Sequence, residues 1–331
     1  MSDVGFWCTA DRGKTYFNLN SGGVRAITFL RRIKTDPVDS KTVSVTITEK
    51  DAKGTLFVVP VVASLAHWIA NANAVSFIST SSINISGNVV TINFTSKYKN
   101  ESGPVDGGDG YYYYDVYQSI DSGDSNGLYL HDGSGFSAIT DVLRAGYCVY
   151  KATVTIQSGG TWAIPGNIPA RSNATVFANW DSSSAVVVYN NMNKSLKVTG
   201  GKVVLNVAVF SNGFPLSMLG AGFYIFNKQS RQCVYNSNYT PLFLKKTIQF
   251  NGKSVNTGVV KPMVAIGSMG MGGDKDGDNY QLFNKGLKMS GSIISTGRGE
   301  NTQYVYTQGF RISVPDTSFP LIVCDGAQYF D

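Results

Sequence analysis

Gly222-Phe-Tyr-Ile-Phe-Asn-Lys-Gln-Ser-Arg-Gln-Cys-Val-Tyr235 repeats a pattern that the chain has already used twice. The first copy is Gly5-Phe-Trp-Cys-Thr-Ala-Asp-Arg-Gly-Lys-Thr-Tyr-Phe17, and the second is Gly127-Leu-Tyr-Leu-His-Asp-Gly-Ser-Gly-Phe-Ser-Ala-Ile139. In each copy a Gly leads a short apolar and aromatic run. A small or turn-forming residue follows (Ala10, Asp132, Asn227), then Gly13, Gly135 or Ser230, then an apolar pair: Tyr16 and Phe17, Ala138 and Ile139, Cys233 and Val234. Two strand-like runs around a turn-rich centre predict a β-hairpin in each copy. Side chains alternate across a strand, so Trp7, Tyr129 and Tyr224 face one way. Phe6 and Cys8, Leu128 and Leu130, Phe223 and Ile225 then form an apolar face suited to burial.

The chain has 331 residues, enough for two or three domains at about 100–150 residues each. Charged residues make up 15%, and Gly, Ser, Thr, Asn, Tyr and Phe take their place, a balance typical of β-structure with neutral polar faces. Hydrophobic residues at 43% argue against disorder. The spacing of the three hairpins predicts an all-β chain of three tandem immunoglobulin-like β-sandwiches at 1–100, 127–218 and 219–331. The segment 101–126 reads as a Gly, Asp and Tyr-rich connector.

Strands are expected at Val24 to Ile33, Val43 to Thr48, Thr55 to Val59 and Val75 to Ile78. Ile83 to Ile85 and Val89 to Phe94 should form a hairpin over Gly87-Asn88. In the second segment Leu196 to Val198 and Val203 to Phe210 read as the matching closing hairpin, over Gly200-Gly201. Trp162-Ala-Ile-Pro165 reads as the counterpart of Phe57-Val-Val-Pro60. Helix signal is thin, and Ala63 to Ala72 is the one place for a turn or two.

Net charge is +6, and the densest basic group, Arg25, Arg31, Arg32 and Lys34, reads as a solvated strand face. It lacks the aromatic platform that nucleic-acid binding uses. No apolar run is long enough to span a membrane. The four cysteines, Cys8, Cys148, Cys233 and Cys324, lack metal-ligand spacing. No basic-then-apolar secretory leader opens the chain, so Asn-x-Ser/Thr triplets such as that at Asn84 carry no weight.

Asp274, Asp276 and Asp278 stand at alternate positions, as at the front of a calcium loop. Position twelve holds Lys285 rather than a bidentate acid, and Asn279 stands where the loop needs Gly, so an exposed loop is expected and no metal or cofactor. Asp106, Asp109 and Asp115 form a second acidic group. His67 lies among apolar residues; Thr9 and Phe226 stand where the second copy has His131. Neither histidine marks a catalytic site, and no enzyme motif is present. The tyrosines Tyr111, Tyr112, Tyr113 and Tyr114, with Met269, Met271 and Tyr280, are the expected partner-contact residues, since rigid amphipathic rings serve interfaces.

The hairpin at Gly5 to Phe17, echoed at Gly127 and Gly222, resembles the opening of tail-associated virion proteins of long-tailed double-stranded DNA bacteriophages. The resemblance covers those three stretches. It implies a structural protein of the tail, tail tip or fibre, made in the bacterial cytoplasm and carried in the virion. It also implies contacts with other tail proteins and with further copies of itself, and no part in nucleic-acid binding or membrane insertion. The alternative is a carbohydrate-binding adhesin at the tail tip that recognises a host surface glycan or protein. A solvent-open groove lined by Tyr111 to Tyr114 and Trp162 would favour that alternative.

Overall fold

The computed structural model describes residues 7–9, 16–18, 25–36, 41–52, 54–69, 74–96, 101–105, 110–120, 127–131, 136–140, 146–211, 216, 218, 220, 224–227, 229–306 and 317–330. For 7–9, 16–18, 25, 101–104, 120, 127–131 and 136–140 it describes the backbone alone. Nearly all of it is β-strand. The first third contains β1 (Trp7–Thr9), β2 (Tyr16–Asn18), β3 (Arg25–Thr35), β4 (Thr42–Thr46), β5 (Gly54–Val62), β6 (Ser64–Ile69), β7 (Val75–Ser86), β8 (Val89–Thr95), β9 (Glu101–Pro104) and β10 (Tyr112–Ile120). The second contains β11 (Gly127–His131), β12 (Phe136–Thr140), β13 (Tyr147–Ile156), β14 (Thr161–Ala163), β15 (Thr175–Asn179), β16 (Ser182–Asn190), β17 (Ser195–Thr199) and β18 (Val203–Ser211). The third contains β19 (Tyr224–Phe226), β20 (Cys233–Asn236), β21 (Phe243–Leu244), β22 (Lys246–Phe250), β23 (Val255–Asn256), β24 (Pro262–Ala265), β25 (Gly270–Asp276), β26 (Asn279–Ser290), β27 (Ile293–Tyr306), β28 (Phe319–Asp325) and the short helix α1 (Ala327–Phe330). No helix of the described residues is long and apolar enough to cross a membrane.

All three expected hairpins form, as β1-β2, β11-β12 and β19-β20, each a separate two-stranded antiparallel sheet. Their registers differ. Cys8 pairs with Phe17, Leu130 with Ser137, and Ile225 with Tyr235 across a bulge. In the third hairpin Ile225 and Cys233 pack on the main core; Val234 and Tyr235, neighbours on opposite faces, are both buried, and Phe223 lies outside the described residues.

After each hairpin the same two strand orders recur. One sheet runs β3-β10-β5, β13-β18-β15 and β22-β28-β24 in the three thirds; the other runs β4-β8-β7, β14-β17-β16 and β23-β27-β26. In the first third the two sheets face each other around Ile33, Val58, Ile92, Tyr114 and Val116. The first strand of each third carries a bulge three residues past a shared point. Leu30 is the extra residue opposite Val116 and Tyr117, Val149 the extra residue opposite Val209 and Phe210, and Lys245 shares Val323 with Lys246.

The shared point is a closed cycle of backbone hydrogen bonds. Ile27 N–H donates to Leu242 C=O at 2.9 Å, Leu242 N–H to Gly146 C=O at 2.6 Å, and Gly146 N–H to Ile27 C=O at 3.2 Å. Ile27, Gly146 and Leu242 therefore occupy equivalent places around an approximate threefold axis. The flanking pairs obey the same rule: Phe243 pairs with Ala26 as Tyr147 pairs with Pro241. Tyr329 of α1 braces the cycle. Its hydroxyl donates to Pro241 C=O and accepts from Phe243 N–H, both at 3.0 Å, and burial pushes its pKa up. Tyr329→Phe removes both bonds at a buried site, an expected loss of about 1–3 kcal/mol readable by urea denaturation. A loss near zero would show that α1 does not brace the cycle.

Several expectations are corrected. The second and third thirds do not stand apart: β15 pairs with β24 and β16 with β26, so the boundary near 218 runs through both sheets. The region 101–126 is no simple connector, because β10 is the central strand of its sheet and is buried on both faces. Flanking Gly and Asp concealed a strand that continues well past the tyrosine run. The Gly200-Gly201 turn crosses from one sheet to the other, and β17 and β18 do not pair. The counterpart of the Gly87-Asn88 hairpin is β16-β17. Trp162 is in β14 and Phe57 in β5, strands with different places in the plan. Residues 64–69 are the strand β6, not helix, with Leu65 and Trp68 partly buried.

Candidate functional site

At one end of the axis the three thirds leave a cleft. Val62, Leu65, Gly110, Tyr111 and Tyr113 come from the first third, Tyr189 to Met192 and Lys197 from the second, and Ser268, Asn284 and Glu300 from the third. Its cavity is about 110 Å³, room for several waters or a small polar ligand when about 10–15 Å³ holds one water. β10 starts here and runs nine residues toward the hairpin cycle, roughly 25–30 Å at about 3.3 Å per residue. The cleft and the hairpins are thus at opposite ends.

Alternation along β10 sorts the tyrosines. Tyr112 and Tyr114 point into the first sandwich and are fully buried. Tyr112 hydroxyl donates to Ile78 C=O at 2.9 Å and lies 3.2 Å from His67 Nε2; Tyr114 hydroxyl shares a 2.6 Å bond with Thr80 Oγ1. Tyr111 and Tyr113 point outward, and Tyr111 is 37% exposed. Lys34 of the neighbouring β3 sets its ammonium 3.6 Å from the Tyr111 ring centre and 5.8 Å from that of Tyr113, a cation–π contact that fixes both rings. Across the cleft Lys197 Nζ meets Glu300 Oε1 at 3.0 Å. The Asn190 and Asn191 amides are held by the turn that follows β16: Asn190 Oδ1 accepts from Asn193 N–H, and Asn191 Oδ1 from Lys194 Nζ.

Beneath the cleft lies a buried polar network. Arg32 holds both oxygens of Asp115, through Nε at 2.6 Å and Nη2 at 2.9 Å. Thr175 Oγ1 donates to Asp115 at 2.9 Å and accepts from Tyr117 hydroxyl at 3.0 Å. Arg32 also reaches Asn191 Oδ1 at 3.4 Å, tying the network to the cleft. Burial alone would lower the Arg32 pKa; the Asp115 carboxylate more than offsets this and holds it above its ordinary value. Tyr189 hydroxyl is buried without a hydrogen-bond partner, and burial pushes its pKa up to about 12.

The lining joins aromatic rings, amides and one paired cation and anion. That set suits a neutral polyhydroxylated ligand: ring faces take C–H surface, while amides and the ion pair exchange hydrogen bonds with hydroxyls. Glu300 is the one carboxylate among the described lining residues.

The other expected site residues fall elsewhere. Met269, Met271 and Tyr280 are buried, so with Tyr112 and Tyr114 they serve the core and not a contact surface. Asp274 and Asp276 lie on β25, a hairpin strand that turns into β26 through Gly277-Asp278, not in an ion-wrapping loop. Asp274 pairs with Arg298, and Asp276 accepts from Tyr304 hydroxyl at 2.7 Å. Among the described residues no three His, Cys, Asp or Glu side chains gather as metal ligands. Asp115 is salt-bridged in the core, and Asp106 and Asp109 lie outside the described residues. Arg32, read as a solvated residue, is in fact buried against Asp115. Trp162 lies away from the cleft, stacked on Tyr150 at 6.1 Å. Tyr189, Asn191, Asn284, Lys197 and Glu300 carry no motif, and only the placement of three distant segments brings them together.

A family profile matches residues 5–308, from the glycine that leads the first hairpin into the last third. The chain belongs to DUF6453, a family of unknown function. The match takes in all three hairpins and every segment that lines the cleft, so hairpins and cleft both lie within the family's shared region. No curated protein and no solved structure matches the chain.

Proposed function

We propose that this DUF6453 chain is a structural component of a bacteriophage virion, placed at the tail or tail tip and working through protein–protein contacts. Each third would be one copy of an immunoglobulin-like sandwich. In the first third the β4-β8-β7 and β5-β10 orders correspond to the B-E-D and C-F pairings of that fold, with the first strand β3 on the edge that a last strand usually holds. The observation that carries the reading is the cycle of Ile27, Gly146 and Leu242, which makes three successive units one rigid block with a hairpin end and a cleft end. A block of that kind suits a capping or connecting part. The low-charge, aromatic-rich composition and the opening hairpin support a tail setting.

The test is immunogold labelling of purified particles of the phage that encodes the chain. Label at the tail or its tip is the expected result; particles without label remove the reading.

A second reading, a glycan-binding adhesin at the tail tip, is favoured by the cleft itself, where Tyr111 and Tyr113 meet Asn190, Asn191 and the Lys197–Glu300 pair. Glycan-array binding by the purified chain should then fall at least about tenfold in Tyr111→Ala, the loss of about 1.4 kcal/mol of contact. An array without a hit, or binding that Tyr111→Ala leaves intact, argues for assembly alone.

A further inference from the structure

Two polar groups at the floor of the cleft are short of partners among the described residues. Tyr189 lines the cleft and is 4% exposed, yet its hydroxyl is buried with no hydrogen-bond partner. Arg32 and Asp115 lie close enough to bear on its pKa, which places the hydroxyl beside the buried ion pair. The second group is Arg32 Nη1. Arg32 Nε and Nη2 serve Asp115, but Nη1 makes only long bonds, 3.4 Å to Ser172 C=O and 3.4 Å to Asn191 Oδ1. A phenylalanine would fill the place of Tyr189 without the cost of a buried, unpaired hydroxyl, so the hydroxyl points to a polar atom that the cleft receives.

Charge says what kind of atom that is. Lys197 and Glu300 are the only charged residues of the described lining, and they pair with each other. Beneath them Asp115 balances Arg32, and at the rim Lys34 is turned onto the rings of Tyr111 and Tyr113. A ligand carboxylate or phosphate set against Tyr189 would meet the charge of Asp115 and be repelled. A neutral acceptor fits: a sugar hydroxyl or an amide carbonyl. The rest of the lining chooses between them. Val62, Leu65, Val188 and Met192 are aliphatic and give a hydroxyl nothing to bond. An acetamido group carries a carbonyl for Tyr189, an N–H for an amide oxygen such as Asn284 Oδ1, and a methyl for the aliphatic wall. The cavity of about 110 Å³ takes that substituent and the edge of one ring, not a chain.

From this we propose that the cleft selects the acetamido group of an N-acetylated amino sugar, whose carbonyl accepts from the Tyr189 hydroxyl while its ring stacks at the mouth on Tyr111. The inference rests on the adhesin reading above and names the class of sugar. Tyr189 is then the specificity-determining residue, and Tyr111 is a platform open to any pyranose ring. A site with a buried donor reserved for one group rejects the analogue that lacks it, because the donor is then left unpaired.

The test is saturation-transfer NMR and calorimetric titration of the full chain, read beside the glycan array. The probes are N-acetylglucosamine, N-acetylgalactosamine and N-acetylmannosamine, each against its parent hexose. At least one acetamido sugar should bind at least about tenfold more tightly than its hexose, with the strongest transfer at the acetyl methyl. Tyr189→Phe should bring that sugar down to the hexose level and leave the hexose unchanged, whereas Tyr111→Ala should weaken both alike. Because Tyr189→Phe removes an unpaired hydroxyl, its melting point should match or exceed the parent's, so lost binding is not lost folding. Equal affinity for each sugar and its hexose, or no binding by any of these sugars, overturns the inference and leaves the adhesin reading to the array. Array hits confined to glycans without the group, or a preference that survives Tyr189→Phe, do the same. An array without a hit overturns both.

Discussion

Asp115→Asn is expected to lower folding stability by about 3–5 kcal/mol, the range seen when one partner of a buried ion pair is removed. The side chain of Asp115 is fully buried, and that of Arg32 is 11% exposed. Arg32 cannot shed its charge, so losing the carboxylate leaves a guanidinium held away from water. Thr175 would also lose the acceptor that orders its bond with Tyr117, loosening the join between the first two thirds. Counted from the bulge, the positions that match Asp115 hold Ala208 and Ile322. The pair is thus particular to the first third, and the plan itself does not need it. Arg32→Met together with Asp115→Leu should accordingly lie within about 2 kcal/mol of the parent, because removing both charges leaves neither buried alone. Urea denaturation of the two variants checks this. An Asp115→Asn variant as stable as the parent would show that water reaches Arg32 freely.

The second large effect is expected where the last two thirds share a sheet. A Cβ at Gly286 would lie 2.5 Å from Val187 C=O, at Gly297 2.5 Å from Val186 Cγ2, and at Gly299 2.4 Å from Val188 Cγ2 and 2.7 Å from Asn284 C=O. Val186 and Val188 of β16 share a face at period two, as do Gly297 and Gly299 of β27. The valines occupy space that only glycine leaves open. Gly286→Val should cost about 3 kcal/mol, at the top of the usual range for overpacking, since a carbonyl oxygen cannot rotate away as a side chain can. Gly166→Ala is the control, with no heavy atom within 4 Å of the added carbon, and should fall within about 0.5 kcal/mol of the parent. Thermal melting separates the two, and equal midpoints would mean that β16 does not cross these glycines closely.

Much of the fold was legible where local chemistry settles it. Gly87-Asn88 between alternating runs can do little but turn, with Gly87 at a φ of +60°, and the three glycine-led hairpins form at the expected segments. What stayed hidden depends on distant partners. Gly200-Gly201 has the local signature of a hairpin turn, yet the apolar runs on its two sides are claimed by different sheets, β17 by β16 and β18 by β13 and β15. The same holds for β10. Asp115 amid a tyrosine run reads as a surface residue until Arg32 arrives from 83 positions away.

The cleft was half legible. A run of four tyrosines on a strand must alternate, so two of them had to face outward. Which pair does so is set by the first sandwich, where the Tyr114 hydroxyl bonds Thr80 and the Tyr112 hydroxyl donates to Ile78 C=O. The opposing wall could not be read at all, because Asn191 and Glu300 belong to thirds whose docking is fixed by the cycle and by the glycine seam. The spacing Gly297-x-Gly299 was an available signal for that seam, as paired small residues on one strand face mark a close approach.

The threefold cycle is open to direct measurement by amide hydrogen exchange on the intact chain. Ile27, Gly146 and Leu242 are buried and donate within one closed ring, so their amides should exchange together, at the slowest rate and only through global unfolding. If any of the three exchanges at the rate of the surface turns while the other two stay protected, the ring is not closed and the three thirds are not joined about one axis.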